Sequence, residues 1–234
     1  MKLDKLLNQL GYISVRREAY AFLQQNKILQ NDVLLTDPNA TVIPAQLTIN
    51  DEPLDPLQDE LFILLHKPMD YVCTHDQSER RVYDLLPPRF RLRQQQITSI
   101  GRLDKDTTGL IILTDNGPLT HRLTSPKHHV PKTYHVTLAD PLKGDETALF
   151  ASGTLMLRSE DKPLLPAQLE VLGTHTANLT LHEGRYHQVK RMFAATGNKV
   201  TALHRSHFGP LPLGDLAPGQ WRLLTPDEIK LLQK

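Results

Sequence analysis

The chain holds a single cysteine, Cys73. An internal disulfide is therefore excluded, and so is a metal site built from several thiolates. Such usage suits a reducing cytoplasm. Long apolar runs are also missing. The longest, Leu61-Phe62-Ile63-Leu64-Leu65, is of strand length, far short of the roughly 20 residues that span a bilayer as a helix. The opening MKLDKLLNQLGYISVRRE carries charge but neither an apolar stretch nor a small-residue cleavage site, so it does not read as a secretory signal. No glycine-rich phosphate loop and no nucleotide, flavin or metal motif occurs, which points to chemistry without a cofactor. His128-His129 is a metal-like pair, but no third and fourth ligand stand at suitable spacing, and phosphate contact or packing is the simpler reading. Cys73 reads as a small buried hydrophobe and Trp221 as a packing residue.

Acid is absent from two long stretches. Between Asn116 and Ala139 there is no Asp or Glu, while Arg122, Lys127 and Lys132 are present. Between Gly184 and Leu213 there is again none, against Arg185, Lys190, Arg191, Lys199 and Arg205. The acids gather elsewhere, as in Asp51, Glu52, Asp55, Asp59 and Glu60. A net charge of +1 thus conceals segregation. The pattern predicts a basic face suited to a phosphate-rich partner.

What the chain does have is enough apolar material for a packed core: 39% hydrophobic and 23% charged residues over 234 positions. Two units are expected, residues 1–58 and 59–234. In the first, Leu3, Leu6, Leu7 and Leu10 recur at helical spacing before Gly11. Ser14 is placed to cap a second helix carrying Ala19, Phe22 and Leu23, and short β-like pieces follow at 28–29 and 33–35. The polar, proline-bearing stretch 50–56 reads as a linker. In the second unit, strands are expected at 61–65, 110–114, 134–138, 168–172, 177–181 and 200–203, and helices near 118–124, 143–151, 187–196 and 225–233. Gly197 is a suitable C-terminal cap, and Thr225-Pro226-Asp227-Glu228 is a helix start signal. The βαβα rhythm is missing, so an α+β fold with a mostly antiparallel or mixed sheet is expected.

The segment Gly101-Arg102-Leu103-Asp104-Lys105-Asp106-Thr107-Thr108-Gly109 delivers a polar loop into the apolar strand Leu110-Ile111-Ile112-Leu113. Loops at strand ends commonly hold catalytic groups. Read as residues alone, Asp104 and Asp106 are either a two-carboxylate acid/base pair, as in a glycoside hydrolase, or turn residues satisfying local backbone donors.

GRLDKDTTGLIILTDNG closely resembles the signature of the RsuA-type pseudouridine synthase family. Phe62-Ile63-Leu64-Leu65-His66-Lys67-Pro68, Lys132-Thr133-Tyr134 and Glu183-Gly184-Arg185-Tyr186-His187-Gln188-Val189-Lys190-Arg191-Met192-Phe193 resemble further family motifs in the same order, so the likeness runs from about Phe62 to Trp221. It implies a pseudouridine synthase catalytic domain with Asp104 as the essential carboxylate and Tyr134 as the active-site tyrosine. Lys190 is the expected cation beside Asp104, with Arg191 as the other candidate. Arg102, Lys132, Arg185 and Arg191 are the expected RNA contacts. Residues 1–58 resemble an S4-type RNA-binding domain, with Arg16 and Arg17 on its basic helix. Five Lys/Arg against nine acids in residues 1–60 depart from that pattern.

The resemblance further implies isomerisation of a uridine in 16S ribosomal RNA, uridine 516, by a cytoplasmic monomer needing no metal or cofactor. The substrate would be 16S RNA or a partly assembled small subunit, with no membrane partner. Tyr186-His187 within the third motif favours the small-subunit branch over one acting on 23S RNA. A non-catalytic ribosome-assembly protein is the other class weighed, and Asp104, Tyr134 and Lys190 together argue against it.

Overall fold

A computed structural model describes residues 1–54, 60–91 and 96–233. They divide into two compact units, Met1–Leu61 with Leu86–Ile97, and Phe62–Leu85 with Thr98–Lys234.

The first unit contains α1 (Leu3–Gln9), α2 (Ala19–Gln25), β1 (Ile28–Gln30), β2 (Val33–Leu34), β3 (Leu47–Ile49) and β4 (Glu52–Pro53). The strands form an antiparallel sheet in the order β2-β1-β3-β4. Leu3, Leu6, Leu7, Ile28 and Ile49 close a core between helices and sheet. The linker reading of 50–56 is corrected at its start. Asn50 and Asp51 lie at φ +52° and +67° between paired Ile49 and Glu52, the two-residue turn of a hairpin. Residues 55 and 56 of that reading lie outside the described residues. The second helix is capped differently from the expectation. The Glu18 carboxylate accepts from the backbone N–H groups of Ser14 and Val15, at 2.9 and 3.4 Å, rather than the Ser14 hydroxyl serving the helix. A short helix α3 (Pro88–Arg91) also belongs to this unit, away from the linear division at 58/59. The Arg89 guanidinium lies over the Tyr12 ring at 5.4 Å. Its backbone packs so close to Gly11, at φ +74°, that a Cβ there would stand 2.0 Å from the Arg89 carbonyl oxygen.

The second unit contains β5 (Phe62–Lys67), β6 (Thr98–Ser99), β7 (Thr107–Thr114), α4 (Gly117–Thr124), β8 (Lys132–Leu138), α5 (Glu146–Ala151), β9 (Gln168–Gly173), β10 (Thr176–Leu181), α6 (Gln188–Ala195), β11 (Val200–Phe208), β12 (Leu211–Pro212), β13 (Trp221–Leu223) and α7 (Pro226–Gln233). Among the described residues its sheet has nine strands, with the path β13-β5-β7-β11-β8-β10-β9. Only the β7–β11 pair is parallel, so the fold is α+β on a mixed sheet. Side chains alternate between the faces. Val136, Leu138, Leu179 and Leu203 meet α5 and α6 on one face. Phe62, Leu64, Leu110 and Ile112 meet α4 and α7 on the other. Helix α7 begins as its sequence predicts: Thr225 and Glu228 exchange side-chain-to-backbone hydrogen bonds of 2.8 and 3.2 Å. Among the described residues, no helix is long and apolar enough to cross a membrane.

Candidate active site

Four registered positions on one face of the sheet define the site. Lys67 on β5 pairs with Gly109 on β7, Gly109 with Arg205 on β11, and Arg205 with Tyr134 on β8. Glycine is required in this row. Gly109 adopts φ +108°, and a Cβ would lie 2.3 Å from the Arg205 carbonyl oxygen. The missing side chain lets the parallel strands approach.

Lys67 is fully buried. Its ammonium donates to the carbonyls of Thr107 (2.7 Å), Pro68 (3.0 Å) and Lys105 (3.1 Å). All three N–H groups are thereby used. Burial lowers its pKa to about 8, against opposing influences from Cys73, Asp106, Asp104 and Asp70. The Asp104 carbonyl accepts from Thr107 N–H at 3.0 Å, and the Lys105 carbonyl also accepts from Asp70 N–H at 2.9 Å. The polar loop is fixed from below by a lysine reaching out of the neighbouring strand.

That loop presents Asp104 to a cavity of about 660 Å³ lined by Arg102, Lys132, Tyr134, His187 and Arg205 among others. Lys190, from the first turn of α6, donates to Asp104 Oδ2 at 3.0 Å and to Asp106 Oδ1 at 2.6 Å. His187 Nε2 stands 3.5 Å from Asp104 Oδ1. Burial works against the Lys190 ammonium, but its bonds to Asp106 and Asp104 outweigh it and its pKa is raised. The hydrogen bond from Lys190 holds the Asp106 carboxyl below its usual range.

Two cations on the cavity lining pair with no carboxylate among the described residues. Arg205 is buried; its Nε donates to the Leu110 carbonyl at 2.7 Å, while Nη2 has no hydrogen-bond partner among the described residues. Lys132 donates to the Val130 carbonyl at 2.7 Å and lies 5.6 Å from the Phe208 ring centre. Burial, and then the Arg205 charge, lower its pKa to about 8. The cavity is of a size that takes a small molecule, and these cations on its lining suit a partner bearing negative charge.

The sequence profile described as RNA pseudouridylate synthase matches residues 61–195. The chain belongs to that family. It is 41% identical to the ribosomal small subunit pseudouridine synthase A of Pasteurella multocida and 40% identical to that of Haemophilus influenzae, with both chains covered completely in each case. It is 40% identical to the protein of the same name from Escherichia coli K12, over 98% of either chain. A crystal structure of a pseudouridylate synthase superposes with a TM-score of 0.70 at 40% identity, covering 99% of both chains.

Within this synthase fold the sequence-predicted residues fall into three groups. Asp104, Tyr134, Lys190, Arg102 and Lys132 lie in or beside the cavity, with Arg102 exposed on its lining. Arg185 also lines the cavity, and both Arg185 and Arg191 carry internal partners. Arg185 pairs with Glu183 and Glu160, each at 3.1 Å, and donates to the carbonyls of Lys162 and Pro163. Arg191 pairs with Glu160 at 2.7 Å and donates to the carbonyls of Arg158 and Tyr186. Glu160 and Glu183 supply counter-charge to these two arginines, which brace the segment 158–163 against α6. Arg16 and Arg17 belong to the first unit, where Arg16 bonds Asp4 at 2.7 Å and Arg17 is exposed. Lys67 and Arg205 carry no role in the sequence reading. A lysine closing a buried strand is a signal for the first; nothing local in His204-Arg205-Ser206 marks the second.

Proposed function

We propose that this chain isomerises a uridine of small-subunit ribosomal RNA to pseudouridine, uridine 516 of 16S RNA, with Asp104 as the catalytic carboxylate. The reading is carried by Asp104 lining a half-open cavity, tied to Lys190, with Tyr134 on the same lining. Full-length similarity to relatives named for the small subunit supports the substrate. The reaction breaks the N1–C1′ bond, turns the base and forms a C5–C1′ bond, and the C5 hydrogen leaves as a proton. Asp104 either attacks the substrate covalently or assists loss of a sugar proton. Lys190 orients the carboxylate, and the Tyr134 ring is placed to hold the detached base against escape. Arg102 and Lys132 contact phosphate, and the N-terminal unit, an S4-like domain, adds Arg16 and Arg17. The enzyme acts in the cytoplasm as a monomer on 16S RNA or a partly assembled small subunit. Release of tritium from C5-labelled uridine in small-subunit RNA tests the activity; release from 23S RNA alone would move the substrate to the large subunit.

A pH dependence follows from Lys132. Its pKa near 8 leaves it charged below that value and neutral above. Phosphate favours the charged form, so RNA binding takes up a proton as pH rises past 8, and affinity should fall by up to tenfold per pH unit there. Lys132→Arg, whose charge persists across this range, should flatten the fall. Titration of RNA affinity between pH 7 and 9.5 gives the comparison, and identical slopes for the two proteins would exclude Lys132 from the contact.

A further inference from the structure

An aromatic stack on the cavity lining has no part in the chemistry derived above. The rings of Tyr186 and His187 lie face to face, 3.8 Å apart with planes 17° from parallel. Both border the cavity, and His187 reaches Asp104. Tyr186 is nonetheless 73% exposed. The pair is held in place from several sides. The Arg191 guanidinium donates to the Tyr186 carbonyl at 3.2 Å, and the Gln188 side chain accepts from Arg185 N–H at 2.8 Å. His187 itself sits at φ +48°, a conformation that a non-glycine residue keeps only where its surroundings enforce it.

We propose that the Tyr186–His187 stack is a platform for the nucleobase adjacent to the uridine that enters the cavity. The proposal rests on the reading that the substrate is RNA. Drawing a nucleotide out of a strand removes the stacking partner of its neighbour. A fixed aromatic ring beside the carboxylate that meets the extruded nucleotide supplies a replacement face, and stacking accepts any base. The occupant is a single base rather than an apolar protein segment. Among the described large hydrophobic residues that are exposed, only Tyr186 borders this cavity. One flat ring falls far short of the contiguous patch that a protein partner needs.

The experiment compares wild type, Tyr186→Ala and Tyr186→Phe on a small-subunit RNA fragment containing the target uridine. Two further RNAs carry an abasic residue on its immediate 5′ or 3′ side. Affinity is read by fluorescence anisotropy and turnover by tritium release. Tyr186→Ala should weaken binding by about 5- to 150-fold, and Tyr186→Phe should restore it. One abasic RNA should cost the wild type a similar factor and cost Tyr186→Ala little more, because both changes remove the same contact. Wild-type affinity in Tyr186→Ala, or losses that multiply in full with both abasic RNAs, would overturn the platform alone. Absence of wild-type turnover both on the intact fragment and on partly assembled small subunits would overturn the substrate reading and the platform with it.

Discussion

Asp104→Asn should reduce pseudouridine formation by about 10⁴-fold or more, the scale seen when an essential reacting group is removed, while folding and RNA affinity stay near wild type. The substitution keeps the side chain's volume and removes its charge and basicity. Lys190 retains Asp106 at 2.6 Å as an anionic partner, so no buried ammonium is left unpaired and the fold has little reason to suffer. Asp106→Asn is the matched control. Asp106 is 64% exposed against 29% for Asp104 and contacts the same lysine, so its loss should cost activity no more than about tenfold, in line with the small worth of exposed ion pairs. Tritium release under single-turnover conditions measures both. Near-wild-type activity in Asp104→Asn would remove Asp104 from its assigned role, and an Asp106→Asn enzyme as inactive as Asp104→Asn would point to a working carboxylate pair instead.

How much of this was legible beforehand depended on how local each signal was. The run ending at Leu65, the Thr225-Pro226-Asp227-Glu228 start and the Gly197 stop are local, and the elements formed close to where they were expected. The two- and three-residue strands β6, β12 and β13 carry no period to read; they exist because longer neighbours offer them an edge. Asn50-Asp51 was a hairpin signal obscured by the prolines following it. In the site, Asp104 and Lys190 came from motifs, and α6 settles the choice between two neighbouring cations by turning Lys190 to the carboxylates and Arg191 to Glu160. The diversion of Arg185 and Arg191 was invisible because Glu160 lies 25 and 31 residues away along the chain. Arg205 reaches the site through a strand register that only the Gly109 approach allows.

Lys67→Met is expected to separate stability from activity, because two opposing effects of similar size meet at that side chain. Methionine fills much of the same volume but donates nothing. The Thr107 carbonyl loses its side-chain donor, at a cost of roughly 1–3 kcal/mol if left unsatisfied; the carbonyl of half-buried Pro68 also loses one, whereas the Lys105 carbonyl keeps Asp70 N–H. Against this, holding the ammonium where its pKa falls from 10.5 to about 8 disfavours its charged form by roughly 3 kcal/mol at neutral pH, and methionine escapes that penalty. Net stability should therefore change by less than about 2 kcal/mol, either way. The sign of the pH dependence is fixed. A folded-state pKa below the unfolded value penalises the fold in full below about pH 8, and the penalty fades as pH rises towards 10.5. Urea unfolding from pH 7 to 10 should show the wild type gaining stability relative to Lys67→Met across that window. Activity should move differently. Without its three-carbonyl anchor, the loop holding Asp104 relaxes, and a displacement near 1 Å costs on the order of 10²-fold in the chemical step. RNA affinity should hold, since Lys67 is buried beneath the cavity rather than on its surface, so the loss should appear in kcat and not in KM. Wild-type kcat in a stably folded Lys67→Met protein would show that the loop keeps its geometry without the lysine, and Lys67 would then be a structural residue with no positioning role.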